Sequence, residues 1–319
     1  MRESSPLVDA DGASLGQDVA MCDGVEQYRH SLPQFKLDVV RTGVGSGPNE
    51  VHSTDRGSFT EASVSVQFPV LGHAHVPHDF VVAMVITAAP RAVLWNGADV
   101  EPGMVLLYGP GAHHTAVSPV GLEFVYVTHK VRPIEERARM GRVPEILPAG
   151  TVTVTCMKDD WKSIAAEMRD LGEHAGPDHS RTGASQHVEA LIDRLARKDP
   201  TVTSKRLAKS RLIVAECIAL ADHRGTRVTI ADLMASTAAS PRRIRQAFGD
   251  AYSLSPMRYL QLRLLSNARD LLSTGRAGCG TVTRVASDLG VTHMGRFSAR
   301  YRDVYGETPS ETASKARVA

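Results

Sequence analysis

Two segments in the last third of the chain repeat one pattern of capping, apolar and basic residues, and this repeat constrains the fold most. The first, TIADLMASTAASPRRIRQAFGDAYSLSP, covers 229–256, and the second, TVTRVASDLGVTHMGRFSARYRDVYGETP, covers 281–309. In each, a threonine opens a short helix, a brief turn follows, and a second helix carries two or three arginines and a phenylalanine. A helix-turn-helix presents its second helix to the major groove of DNA. The repeat therefore predicts two such motifs, at 229–249 and 281–302.

Capping residues predict where the helices of this region begin. Serine accepts hydrogen bonds from backbone N–H groups of a first helical turn, and proline fits the first helical position. Ser240-Pro241 therefore predicts the start of one second helix, and Ser255-Pro256 starts a long helix between the motifs. Thr292 is predicted to cap the other second helix. In that helix Phe297 and Tyr301 are four residues apart, so they share a face that can be buried.

Charge is distributed unevenly along the chain. From Lys205 to the end there are 19 Lys+Arg and 9 Asp+Glu, a net of +10, and the first 204 residues hold 18 and 26, a net of −8. These sum to the formal net charge of +2. A basic region joined to an acidic remainder indicates nucleic-acid contact confined to one domain. Arginines outnumber lysines there by 16 to 3, which favours forked contacts to phosphates and guanine edges.

Other motifs set limits on the class of protein. The length of 319 residues suggests two domains. The polar N-terminus lacks the pattern of a secretory signal, and no apolar run approaches the ~20 residues that span a bilayer. The four cysteines form no CxxC pair, so neither a disulfide frame nor a zinc site is expected. P-loop, HExxH and strand-linked GxGxxG motifs are missing from the sequence. We therefore expect a cytoplasmic protein that is not an enzyme and has no cofactor.

Short Val-rich runs between turn residues predict a β-barrel or sandwich at about 35–131, because closely spaced strands with turn signals favour such folds. Trp95-Asn96-Gly97 predicts a hairpin turn. Before the barrel, residues 1–30 are polar, with a short helix expected around Val19–His30. A small barrel can hold one ligand in its interior. The strands are predicted at 35–40, 62–70, 79–86, 91–97, 104–110 and 122–129.

The segment between the barrel and the basic region is predicted to be mainly helical. A broken helix at 132–148 and a short strand precede a helix at about 159–173, whose apolar stripe repeats at helical spacing. Two interpretations of the stripe stand: core of its own domain, or a surface that dimerises with a second protomer. The stripe consists of Trp161, Ile164, Ala165, Met168 and Leu171. A loop at 175–185, a helix at 187–198 and the linker DPTVTSK follow.

The C-terminal ~115 residues resemble the DNA-binding domain of the AraC/XylS family of bacterial transcription regulators. The residues that carry the resemblance are Ala231-Asp232-Leu233, Ser240-Pro241-Arg242, Phe248, Ser255-Pro256, Arg263-Leu264, Ala268, Leu271-Leu272, Val285-Ala286, Leu289-Gly290-Val291, Arg296-Phe297, Tyr301 and Gly306-Glu307-Thr308-Pro309-Ser310. Ala238 stands where the family usually has glycine. The first ~170 residues resemble the family's cupin-like effector domains, most closely in VEPGMVLLYGPGAHH at 100–114.

The resemblance implies an α+β multidomain protein in three parts. Residues 1–174 would form a cupin-like β-barrel or sandwich with flanking helices, for effector sensing and dimerisation. Residues 175–204 would be helix and linker. Residues 205–319 would form an all-α domain with the two helix-turn-helix motifs. The positions that match the family's DNA-contacting residues are Ser240, Arg242, Arg243, Arg245, Gln246, Thr292, His293, Met294, Gly295, Arg296, Ser298, Arg300 and Arg302.

Histidines in the β-rich region raise a metal hypothesis. His73 and His75 alternate along one strand, and His113 comes from another, so three imidazoles could meet. The carboxylate that a metal-binding cupin carries after its histidine pair is missing, and we expect no metal. An organic effector is expected in the barrel interior instead, near His73, His75, Trp95 and His113.

Three functions fit the sequence. The first is a transcriptional activator that is controlled by a small-molecule effector, binds promoter or operator DNA as a homodimer and contacts RNA polymerase, without a membrane partner. The second is a constitutive DNA-binding regulator whose barrel is purely structural. The third is a metal-dependent cupin enzyme fused to a DNA-binding domain.

Overall fold

The computed structural model describes residues 7–8, 14–32, 35–131, 147, 149–157, 160–173, 181–198, 202–203, 208–224, 228–273 and 281–316. The helix predicted at 132–148 lies outside the described residues except for 147. Most of the predicted linker at 199–205 does so as well.

Antiparallel strands build the first part of the chain, and they pair in two sheets. The strands are β1 (Leu7–Val8), β2 (Ser14–Cys22), β3 (Lys36–Arg41), β4 (Asn49–Asp55), β5 (Phe59–Ser65), β6 (Val70–His75), β7 (Phe80–Ala88), β8 (Val93–Trp95), β9 (Ala98–Val100), β10 (Met104–Tyr108), β11 (His113–Ser118), β12 (Glu123–Lys130), β13 (Val152–Cys156) and β14 (Val202–Thr203). The larger sheet has the order β1-β2-β4-β5-β12-β7-β10-β13-β14, and the smaller has the order β3-β6-β11-β8-β9. Their facing sides enclose one apolar core, so the β-rich part is a two-sheet barrel.

Part of the polar N-terminal stretch forms a strand that the sequence did not predict. β2 pairs with β4 over seven residues, and the helix expected around Val19–His30 covers Val25–His30 in the described residues. The run at 62–70, predicted as one strand, is divided between β5 and β6. β5 belongs to the larger sheet and β6 to the smaller, so the chain changes sheets between Ser65 and Val70.

The predicted hairpin turn is confirmed between β8 and β9. Asn96 and Gly97 both have positive φ, at 53° and 74°, which is the backbone that a two-residue hairpin of this type needs. The register pairs Trp95 with Ala98 across the turn. This places Trp95, 1% exposed, at the end of the small sheet with its ring in the barrel core.

Helices follow and flank the barrel, and they confirm the predicted α+β organisation. They are α1 (Val25–His30), α2 (Trp161–Glu173), α3 (Arg181–Ala196), α4 (Ala208–Arg224), α5 (Ile230–Thr237), α6 (Pro241–Tyr252), α7 (Pro256–Ser273), α8 (Thr281–Asp288), α9 (Met294–Tyr305) and α10 (Pro309–Lys315). Residues 181–185, predicted as loop, form the first turns of α3. Among the described residues, no helix has both the length and the apolar character needed to cross a membrane.

The apolar stripe of α2 packs against the larger sheet of its own chain. Ile164, Ala165, Met168 and Leu171 are all at most 8% exposed, and Trp161 packs against the same cluster. Their partners include Val85 of β7 and Leu191 of α3, among others. The predicted dimerisation role of these five residues is therefore corrected. Their side chains already bury apolar surface within the chain, and a second protomer would have to contact other residues.

The C-terminal helices share a second core, which extends into the small sheet. Phe248, Tyr259 and Tyr301, from α6, α7 and α9, are at most 1% exposed in this core. Val40 of β3 and Leu71 of β6 belong to the same cluster. The outer face of the small sheet is thus covered by the helices that contain the two predicted motifs.

Candidate nucleic-acid interface and effector cavity

The first helix-turn-helix is built from α5 and α6, and its capping follows the sequence. Thr229 and Asp232 form a capping box: the Thr229 hydroxyl accepts from the Asp232 N–H at 3.3 Å, and the Asp232 carboxylate accepts from the Thr229 N–H at 2.8 Å. Ser240 caps α6 by accepting from the Arg243 N–H at 3.3 Å. Between the helices Ala238 has φ 50° and ψ 25°, in the left-handed region. That conformation explains why glycine is usual there.

α6 has one buried and one exposed side. Ile244, Ala247 and Phe248 are buried in the C-terminal core. Arg242, Arg245 and Gln246 are exposed, as is the capping Ser240, and Arg243 is half-buried. The Arg243 guanidinium donates to the Gln246 side-chain oxygen at 3.2 Å, so these two predicted DNA contacts are joined on one helical turn.

In the second helix-turn-helix, α8 and α9, the second helix begins one residue later than predicted. His293 is the N-cap residue of α9, and its side chain makes no capping hydrogen bond. The predicted cap Thr292 lies one position before it. The residue that accepts hydrogen bonds from the unpaired N–H groups of a first helical turn is the N-cap residue itself, and Thr292 does not occupy that position. The Thr292 capping role is therefore wrong, and both residues are exposed. Their side chains are accessible at the N-terminal end of the helix.

α9 presents the predicted basic side. Arg296, Arg300 and Arg302 are exposed, as is Gly295, while Ser298 is half-buried. Met294 is also half-buried and packs partly against the C-terminal core. On the opposite side Phe297 and Tyr301 are buried, with ring centroids 5.9 Å apart, which confirms the predicted aromatic pair.

The exposed arginines of α6 and α9 are available for phosphates or bases. In the part of the chain that the structure describes, none has a carboxylate within the 4.0 Å of an ion pair. The arginines concerned are Arg242, Arg243, Arg245, Arg296, Arg300 and Arg302.

The Gly-Glu-Thr-Pro turn after α9 fixes the second motif to the bridging helix α7. The Glu307 carboxylate accepts from Arg269 at 2.8 Å, Thr312 at 2.7 Å and Lys315 at 2.5 Å. Burial raises the pKa of Glu307, but these three donors together outweigh it and lower the pKa to about 2. Gly306, with φ 74°, ends α9. Sequence comparison identified this turn as a motif, whereas the structure gives it a positioning role.

A cavity between the two sheets is the candidate effector site. It has a volume of about 60 Å³, several times what one water molecule needs. Trp95 lines it, as predicted for the effector region. His73, His75 and His113, which were also expected near the effector, do not line this cavity. Side chains alternate along a strand, and the cavity side of β6 is taken by Gly72 and Ala74, so the histidines between them face the other way.

The three histidines form a cluster on the outer face of the small sheet. His73 Nε2 lies 3.3 Å from His113 Nδ1, and the His75 and His113 rings are 4.9 Å apart. Burial, with the nearby His113 adding, lowers the pKa of His73 to about 4. Within the described ranges, no group of three or more His, Cys, Asp or Glu side chains is arranged to hold a metal ion.

Beside this cluster, Asp38 of β3 connects the barrel to the C-terminal helices. Its carboxylate accepts from the Tyr259 hydroxyl at 2.8 Å and from the Arg263 guanidinium. Both donors belong to α7, and Arg263 is only 7% exposed. The residues on either side, Leu37 and Val39, line the cavity. One strand thus has the cavity on one face and the bridging helix of the two motifs on the other, a relation that sequence alone did not reveal.

Comparison with known proteins places the matches in the C-terminal helices. Residues 233–315 match the family model described as a helix-turn-helix domain. The XylDLEGF operon transcriptional activator 2 of Pseudomonas putida is 39% identical over 75 residues, which are 24% of this chain and 48% of that protein. The probable thc operon regulatory protein of Rhodococcus erythropolis is 33% identical over 90 residues, 28% of this chain and 27% of that protein.

A solved structure is also similar to about a third of the chain. It is a probable AraC family transcriptional regulator from Rhodopseudomonas palustris, 36% identical, covering 33% of this chain and 98% of that one, with a TM-score of 0.31. The matches to the two curated relatives span about half and about a quarter of their lengths.

Proposed function

Since this chain belongs, through its C-terminal helical domain, to the AraC/XylS family of transcriptional regulators, we propose that α6 and α9 read promoter or operator DNA under the control of a small molecule in the barrel. The observation that carries the DNA-binding part is the pair of helices α6 and α9, each with exposed arginines on one side and buried aromatics on the other. Successive major grooves on one face of the duplex are roughly 34 Å apart, and each helix would occupy one of them.

Within the interface, the residues divide by role. Arg242, Arg245 and Gln246 of α6 would reach base edges, because they are exposed near its N-terminal end. Arg296 and the N-terminal residues of α9 would do the same in the second groove. Arg300 and Arg302, further along α9, would contact phosphates, which position the protein without reading sequence.

The control of DNA binding would pass through β3. Its cavity-facing residues, Leu37 and Val39, alternate with Asp38, which binds α7. A molecule that changes the position of this strand changes the contact on its other face. Coupling of this kind amounts typically to ~1–3 kcal/mol between effector and DNA.

Activation, contact with RNA polymerase and homodimer formation complete the proposal, and family membership supports them. The named relative from Pseudomonas putida is an operon transcriptional activator. A homodimer would place the α6 and α9 helices of two copies on neighbouring half-sites of the DNA. Because the apolar stripe of α2 is buried within the chain, that pairing would use exposed surface elsewhere.

DNA selection with the full chain tests the proposal. Duplexes bound from a randomised pool define the preferred site, and titrations then compare variants. Arg245→Ala is expected to weaken binding to that site by ~1–3 kcal/mol and to relax the preference at one base pair. Arg300→Ala is expected to weaken binding to all sequences alike and to reduce the salt dependence by about one charge.

The matched control is Arg197→Ala, which removes an exposed arginine directly after α3, outside both motifs. It should bind as the unchanged protein does. An Arg245→Ala variant that selects the same sites with the same affinity as this control would contradict the assignment of α6.

A further inference from the structure

The barrel cavity has an uncharged lining. Its walls carry valine, leucine, methionine and alanine side chains with the rings of Phe35, Trp95 and Phe124, and none of its lining residues is Asp, Glu, Lys or Arg. Burying an ionised carboxylate or ammonium group without a partner charge is strongly unfavourable. This lining therefore disfavours any ligand that carries a charge.

One corner of the cavity is polar, and its hydrogen bonds have a fixed direction. Trp95 Nε1–H donates to the Tyr108 hydroxyl oxygen at 2.6 Å, and the Asn96 side-chain N–H donates to it at 3.2 Å. Neither of these groups can accept. The Tyr108 oxygen thus receives two hydrogen bonds, and its own proton is left for His114 Nδ1, 2.9 Å away.

This arrangement determines the tautomer of His114. Since Nδ1 accepts, the ring proton of the neutral imidazole is on Nε2. Burial lowers the pKa of His114 to about 3, with the charges of His73 and Arg211 adding, so the ring is neutral at pH 7. His114 lines the cavity. Across the described part of the chain, no hydrogen-bond acceptor is recorded for Nε2–H.

We propose that this cavity binds a small, uncharged and largely apolar molecule with one hydrogen-bond-accepting oxygen, which receives the Nε2–H of His114. The aromatic and aliphatic walls favour a ring or a branched chain, and the polar corner favours a carbonyl, ether or hydroxyl at one end. The inference deepens the proposed control by an effector and depends on it for its regulatory meaning.

Gly72 offers a way to fill the cavity without disturbing the sheet. It lies on the cavity face of β6, and a Cβ built there meets no atom within 4 Å. Gly72→Leu should therefore occupy ligand space, and Gly72→Ala is a milder version if the larger side chain prevents folding. His114→Phe removes the donor and keeps a ring of similar shape. His52→Phe makes the same chemical change at an exposed strand position outside the cavity lining and serves as the control.

Thermal unfolding of the full chain with four probes of similar size tests the proposal. Acetophenone carries an acceptor oxygen, toluene carries none, and benzoate and benzylamine are ionised at pH 7. A ligand of the folded state raises Tm by mass action. We expect the largest rise with acetophenone, a smaller one with toluene, and none with the two ionised probes. Gly72→Leu, or Gly72→Ala in its place, should reduce the response, and His114→Phe should make acetophenone and toluene equivalent.

Several results would overturn the inference. These are a rise with benzoate or benzylamine equal to that with acetophenone, an undiminished response in the Gly72 variant, or no rise with either uncharged probe. Titration of the same preparation with the selected duplex separates this failure from failure of the proposed function. Intact DNA binding without a probe response refutes the ligand class alone, whereas a probe response without DNA binding refutes the DNA-binding proposal.

Discussion

Replacing Asp38 by asparagine tests whether β3 holds the C-terminal helices through the charge of this carboxylate. The substitution keeps the shape of the side chain and an oxygen that can accept. It removes the negative charge that the Arg263 guanidinium faces, and the Tyr259 hydroxyl then donates to a neutral amide. We expect the contact between β3 and α7 to weaken while both folded parts persist.

The expected loss is about 1–4 kcal/mol. A hydrogen bond to a charged partner contributes about 1.5–3 kcal/mol and a neutral one about 1 kcal/mol, so each of the two bonds loses roughly 0.5–2 kcal/mol. Solvent screening is limited, because the Asp38 and Arg263 side chains are 16% and 9% exposed. Arg29, whose nearest guanidinium nitrogen is 3.9 Å from Asp38, also loses a favourable charge.

Native-state hydrogen exchange measures this loss locally, without requiring the whole chain to unfold in one step. Amides of α7 should exchange faster in Asp38→Asn, and those of β12 on the other sheet should not change. Asp99→Asn, at an exposed position of the same small sheet, is the matched control. It should exchange like the unchanged protein.

A double-mutant cycle that combines Asp38→Asn with Arg263→Met measures the interaction free energy between these two side chains. If the two side chains act on each other, their effects on the opening free energy of α7 should differ from additivity by about 2 kcal/mol. Additivity within about 0.5 kcal/mol would refute the reasoning, because it would mean that each residue stabilises α7 through other neighbours.

Two further substitutions test the helical domain. Ala238→Gly is expected to raise the free energy of unfolding by roughly 0.5–1 kcal/mol, because glycine adopts the left-handed φ of 50° without a Cβ clash. Ala235→Gly, inside α5, is the control and should lower the free energy of unfolding by about 1 kcal/mol. Thermal melts compare the two, and a lower Tm in both would contradict the strain argument. Glu307→Gln should reduce the loss of folding stability at low pH. The pKa of the Glu307 carboxylate is lowered to about 2, so its stabilising contribution is complete above about pH 5 and is lost as the pH falls towards 2. That contribution is on the order of 3 kcal/mol. Urea unfolding between pH 6 and pH 3 measures the free energy of unfolding of the variant and of the unchanged protein. If that free energy falls equally with pH in the two proteins, Glu307 does not have this role.

Local signals made the helical domain predictable. Ser240-Pro241 and Thr229 with Asp232 define helix starts within a few residues of sequence, and the structure has both caps. Thr292 failed because two possible cap residues are adjacent, and the choice between them depends on how the preceding turn is closed. Val291 N–H donates to the Ala286 carbonyl there, a contact that sequence spacing does not specify.

The barrel was less predictable, because strand pairing is set by residues far apart in sequence. β4 and β11 carry polar and histidine residues that hide their alternation. β4 was not predicted, and β11 was expected only as a strand that carries His113. β2 leaves Val19 and Met21 exposed at 57% and 51%, so its apolar residues do not mark a buried face. The division of 62–70 between two sheets also depends on partners, since β5 pairs with β4 and β12 while β6 pairs with β3 and β11.

His73, His75 and His113 do not line the cavity, and the reason lies in how side chains alternate along a strand. Histidines that alternate along a strand share a face, but their spacing does not say which face encloses the ligand. The residues of β6 that face the cavity include Gly72 and Ala74, whose side chains are small enough to leave space between the sheets. His73 and His75 therefore lie on the side of Asp38 and α7. The same alternation that keeps them out of the cavity places them on the face of the small sheet where Asp38 contacts Tyr259 and Arg263.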